Sequence, residues 1–166
     1  MEHSFSGCEI VELGIQIEKN AIAFFGKLAE TMDNPRVKEI FRSLSEGDEQ
    51  HLDDFKKIFG EYCSYEKGLY TEEYFGYMQS LASSYVFTKE NVGEELAEKI
   101  TNEKDAIELG VSYVKEAVLF YEGMEKVVPE KDKEIVEGLI AGEKEHLNSL
   151  CALKDEIYGP DDPKTC

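Results

Sequence analysis

The chain has 166 residues, with 36 acids against 18 bases and a formal net charge of −18. A field of that sign repels nucleic acid and anionic membrane surfaces, so neither is expected as a partner. Hydrophobic content of 42%, charged content of 33% and four prolines describe an ordinary folded composition with a good-sized core, and no apolar run approaches the roughly 20 residues of a membrane span.

Apolar residues recur at helical spacing through most of the chain. Ile10, Leu13, Ile17, Ala21, Phe24, Phe25 and Leu28 mark a first helix. Asn34-Pro35 is a helix start, with Asn34 as cap and Pro35 in the first turn. Val37, Ile40, Phe41, Leu44, Leu52, Phe55, Ile58 and Phe59 carry the second helix to near Gly60. A tyrosine-rich amphipathic stretch, Thr71 to Phe87, predicts a short helix inside a crossover too long to be a hairpin turn. A third main helix is expected from about Asn102 to Val127, where Pro129 breaks it. A fourth follows from about Glu130 to Tyr158, before Gly159-Pro160. The class is therefore all-α: a ferritin-like four-helix bundle over residues 1–159, with hairpins at about 8–60 and 102–158 and a crossover at 61–101. Residues 160–166 are expected to form a loose tail.

The two hairpins repeat one another. LSEGDEQHL (Leu44 to Leu52) aligns with LIAGEKEHL (Leu139 to Leu147) at an offset of 95, and VELGIQIEKNAIAFF (Val11 to Phe25) with IELGVSYVKEAVLFY (Ile107 to Tyr121) at an offset of 96. The single-residue difference falls in the loops, where insertions are tolerated. The repeat places Asp48 three residues before His51 and Glu143 three before His146. Residues at i and i+3 share a helix face, so each pair can reach one metal ion, and the bundle turns the two pairs toward each other. Glu18 lies on the apolar stripe of the first helix, where an unpartnered carboxylate is costly.

IEKNAIAFF, DEQH, KEAVLFY and EKEH together resemble the rubrerythrin-like branch of the ferritin-like, di-iron carboxylate proteins. The resemblance implies iron held by carboxylates and histidines, peroxide reduction or ferrous iron oxidation, a role under oxidative stress, and a homodimer. It gives Glu18, Asp48, His51, Glu143 and His146 as metal ligands, with no catalytic residue beyond them. The family's rubredoxin-like Cys-x-x-Cys tail is missing, so electrons would come from an external donor protein. Two departures stand out: Val114 occupies the position equivalent to Glu18, and Asp48 stands where the family has Glu. Glu116, about 200° further round the helix, faces away. One or two irons are thus expected, with the position nearest His146 short of a ligand. Zinc or manganese is the alternative in a non-catalytic, structural or sensing bundle holding a single ion. Tyr121, two turns after Val114, either packs in the core or hydrogen-bonds a ligand.

The four cysteines are scattered, without a Cys-x-x-Cys pair. Cys8, Cys63 and Cys151 read as core or helix-face residues and Cys166 as an exposed terminal thiol, the usage of a reducing cytoplasm.

Overall fold

The computed structural model describes residues 7–59, 71–160 and 166. Four long helices make the bundle: α1 (Gly7–Thr31), α2 (Pro35–Phe59), α5 (Glu103–Glu125) and α6 (Lys133–Tyr158). The crossover contributes α3 (Glu72–Ser84) and α4 (Gly93–Glu98), with a 3₁₀ turn at Val86–Thr88 between them. There is no strand among the described residues, and no helix among them is long and apolar enough to cross a membrane.

Helix α1 packs on α2 and α5 on α6, and the two hairpins meet through α1–α5 and α2–α6. The core follows the apolar stripes read from the sequence, with Phe24, Phe25, Phe41, Phe55, Phe120 and Tyr121 all fully buried. The helix starts are fixed by side chains that take up orphan N–H groups. Asn34 Oδ1 accepts from Arg36 N at 2.9 Å, Thr71 Oγ1 from Tyr74 N at 3.2 Å, and Asn102 Oδ1 from Asp105 N at 2.9 Å. The backbone N–H of Asn34 also donates to Glu103 Oε1 at 2.7 Å, tying the first hairpin to the start of the second.

Boundaries differ from expectation by small amounts with local causes. Helix α5 stops at Glu125, where the N–H groups of Val127 and Val128 both turn back to Met124 O. After Pro129 the chain makes a 3₁₀ turn, Glu130–Asp132, before α6 begins at Lys133. The short helix of the crossover ends at Ser84, and Phe87 belongs to the 3₁₀ turn.

Helix α4 was not foreseen, and Asn20 explains its place. Asn20 is fully buried on α1. Its amide nitrogen donates to Phe87 O at 2.7 Å and Lys89 O at 2.6 Å, and its Oδ1 accepts from Val92 N and Gly93 N, each at 3.0 Å. One side chain thereby satisfies four backbone groups of the crossover. Gly93 is required at this contact: a Cβ there would meet Asn20 O at 2.1 Å.

The cysteines depart from the sequence reading. Cys151 and Cys166 are joined by a disulfide, with Cα atoms 5.8 Å apart, and Cys8 is disulfide-bonded as well. Gly159, at φ 85°, ends α6 and lets the chain leave the helix axis. Cys166 is therefore tethered to α6 and is not the free terminal thiol expected. His3, Tyr62, Cys63, Tyr65 and Tyr70 lie outside the described residues. Of the other crossover tyrosines, Tyr74 donates its hydroxyl to Gly123 O, Tyr85 is buried and Tyr77 is exposed.

Candidate metal centre

The repeat brings two helix faces together at mid-bundle. Asp48 and His51 project from α2, Glu143 and His146 from α6, and one donor atom from each lies within 4.8 Å of the others. The pairing crosses between helices. His51 Nδ1 is 2.9 Å from Glu143 Oε1, and His146 Nδ1 is 3.2 Å from Asp48 Oδ1. Within each helix the separations are longer, 3.5 Å for Asp48–His51 and 3.7 Å for Glu143–His146. Both imidazoles thus present Nδ1 to the acids.

Their Nε2 edges rest against the opposite helix, at glycine. A Cβ on Gly142 would sit 2.2 Å from His51 Nε2, and a Cβ on Gly47 would sit 2.6 Å from His146 Nε2. Gly47 and Gly142 occupy the same place in the two repeats, four residues before each histidine. Each ring therefore fills the space left by a glycine of the other copy, and the ring centroids come to 5.1 Å.

Glu18, from α1, is the fifth acid-base group here. It is 1% exposed; its Oε2 lies 3.7 Å from His51 Nδ1 and its Oε1 accepts from the Tyr121 hydroxyl at 2.5 Å. Tyr121 therefore packs in the core and also bonds a candidate ligand, so both sequence readings of it hold. Val114 is buried and lines, with Glu18, Glu143, Phe25, Ala117 and Tyr113, a cavity of about 10 Å³. Glu116 stays out of the cluster, half-buried, its carboxyl pushed up by that burial.

Three acids and two imidazoles sharing one dry space shift each other. Burial, reinforced by the charges of Glu143 and Asp48, pushes the Glu18 carboxyl up to about 8. Burial also raises Asp48, with Glu143 adding to it. Burial acts on Glu143 in the same direction, but pairing with His146 and His51 outweighs it and holds that carboxyl below its ordinary value. Burial pulls both imidazoles down, yet the acids around them prevail. His51 is pushed up to about 12 by Asp48, Glu143 and Glu18, and His146 to about 10 by Asp48 and Glu143.

The donor set fits a metal ion. Both Asp48 oxygens, Glu18 Oε2 and His146 Nδ1 are buried without a hydrogen bond. Buried polar atoms are rarely left so, and an ion satisfies all of them at once. A family model described as Rubrerythrin matches residues 9–154. The chain belongs to the rubrerythrin family. Its fold is similar to that of a protein from Thermotoga maritima described as a ferritin-like diiron-carboxylate protein, with a TM-score of 0.69, 22% identity, and coverage of 95% of this chain and 99% of that one. No curated protein matches the chain in sequence. Rubrerythrin membership and the converging carboxylates and imidazoles together support metal binding.

Proposed function

We propose that the chain holds one divalent metal ion, iron in the first instance, through Asp48, His51, Glu143 and His146, with Glu18 closing the set. The observation that carries this is the size of the cluster. Donors of a single ion at about 2.1 Å lie roughly 3.4–4.2 Å from one another, close to the 2.9–3.7 Å seen for the pairs and within the 4.8 Å span. Two ions about 3.5–4 Å apart, each with its own imidazole on the far side, need nitrogens about 7 Å apart. Val114 removes the terminal carboxylate of the second position as well.

We further propose that the bound iron supports peroxide reduction or ferrous iron oxidation. Iron supplies electron transfer and Lewis acidity at the site. The chain does the rest. Asp48 and Glu143 cross between α2 and α6 to place both imidazoles, Gly142 and Gly47 seat the rings, and Tyr121 fixes the Glu18 carboxylate. In the metal-free chain burial pushes the Glu18 carboxyl up to about 8, while its Oε1 accepts from Tyr121. Peroxide turnover would draw two electrons and two protons per molecule, the electrons from an external donor protein.

Val114 favours a second reading, a bundle that binds one ion without turnover. One preparation separates the two. Protein reloaded with ferrous iron and freed of loose metal is assayed for metal per chain and for peroxide consumption with a chemical reductant. About one iron per chain, with peroxide consumed and lost in Glu18→Ala, supports the redox reading. One ion with no turnover favours the structural reading, and about two irons per chain refutes the single-ion geometry.

A further inference from the structure

The repeat lets each position be compared with its own counterpart. At an offset of 96, Glu18 of α1 corresponds to Val114 of α5, and Phe25 of α1 to Tyr121 of α5. The structure sorts these four residues into two pairs. On one side the Tyr121 hydroxyl donates to Glu18 Oε1, both residues being fully buried. On the other, Phe25 and Val114 line the same cavity of about 10 Å³. The Phe25 ring lies against α5 one turn before Val114, where a Cβ on Gly110 would meet it at 3.1 Å. A carboxylate with its phenol thus faces an aliphatic side chain with its phenyl. The volume left over is that of one water-sized atom, the atom by which a phenol exceeds a phenyl.

We infer that the buried carboxylate and the phenol across the α1–α5 interface are one unit, kept or lost together, in which Tyr121 is a positioning residue for Glu18. Each half is costly alone. A buried carboxylate without a donor and a buried phenol without an acceptor both forfeit hydration with no return. Once position 114 carries valine, a hydroxyl at position 25 loses the partner that Tyr121 has in Glu18, and phenylalanine removes it. Where the unit survives, it does positional work. With Oε1 engaged by Tyr121, Oε2 is the oxygen turned toward His51 Nδ1 at 3.7 Å. The use of the unit rests on the metal reading; its existence does not.

A mutant cycle on the lost pair tests it. In metal-free protein, Val114→Glu alone buries a carboxylate without its donor and is expected to lower the melting temperature by several degrees. Phe25→Tyr alone is expected to lower it too. Combining them should recover at least half of the Val114→Glu loss. A double variant no more stable than Val114→Glu overturns the inference. If Val114→Glu does not fold, the native pair serves. Tyr121→Phe is expected to weaken ferrous iron binding about tenfold or more by chelator competition, with circular dichroism unchanged, and to add nothing in a Glu18→Val background. Strictly additive losses overturn the unit. A parent chain that binds no iron while the metal-free cycle still shows recovery refutes the metal reading and supports the pair.

Discussion

Gly142→Ala is the sharpest perturbation of the centre, because it touches no ligand. The new Cβ would stand 2.2 Å from His51 Nε2 and 2.8 Å from Cε1. Ordinary carbon contacts need about 3.5 Å, so the ring must withdraw by about 1 Å. Metal–ligand lengths tolerate about ±0.2 Å, so this displacement removes His51 from the coordination set. Adjusting a ligand's supporting partner typically costs 10–100-fold in metal affinity, and losing the ligand belongs at the upper end, about 100-fold or 2.7 kcal/mol. Metal-free stability should change far less. Overpacking costs about 1–3 kcal/mol, while alanine gains about 1 kcal/mol over glycine inside a helix. Chelator competition with ferrous iron or zinc reads the affinity, and thermal melting followed by circular dichroism reads the fold. Gly138→Ala on the same helix, with no atom within 4 Å of its added Cβ, is the control and should leave affinity unchanged. An unaltered dissociation constant for Gly142→Ala, with the fold intact, would refute the proposed role of His51.

Metal binding and pH are linked with a definite sign. Glu18 and His146 are raised to about 8 and about 10, above unfolded values near 4.5 and 6.5. Their stabilisation of the metal-free chain is complete below the unfolded values and is lost as pH rises through the folded ones, so the metal-free melting temperature should fall between pH 6.5 and 10. Metal affinity should rise over the same interval and loading should release protons, measurable by calorimetry in buffers of different ionisation enthalpy; uptake without proton release would contradict the assigned set. Asn20→Ala strips four backbone groups of their partner, each worth about 1–3 kcal/mol when left buried and unsatisfied, so a loss of at least about 4 kcal/mol is expected in urea melts. A loss below about 1 kcal/mol would show that the crossover is held by other contacts. Non-reducing digestion should yield a peptide joining α6 to the C-terminus through Cys151 and Cys166; an alkylated Cys166 in unreduced protein would deny that bond.

The four long helices and the two carboxylate–histidine pairs were legible because both are local. Helical period is read over a few turns, and Asp48–His51 and Glu143–His146 lie one turn apart within their own helices. The repeat then supplied the one long-range fact needed, that the two pairs face each other. What escaped the sequence acts at a distance. Asn20 bonds groups 67 to 73 residues away, and an asparagine in a helix reads as an ordinary exposed position. Glycine inside a helix ordinarily weakens it, whereas Gly47 and Gly142 give clearance for a ring on the opposite helix. Cysteine pairing has no local signature, so Cys151–Cys166 was read as two separate thiols. Tyr121 was visible as a candidate, but its hydrogen bond depends on the α1–α5 packing.

Asn20 has a further consequence. Its counterpart in the other copy is Glu116, which makes no hydrogen bond to the crossover among the described residues. Two copies of a hairpin begin as interchangeable parts, and either could come first in the chain. Once one copy carries the residue that clasps the connecting segment, the order of the halves is frozen, and exchanging α1 with α5 would leave the connector without its anchor. The first copy is the post to which the connector is fastened. The two copies thus differ in the connector as well as at the metal centre, and a single amide sets the order of the halves.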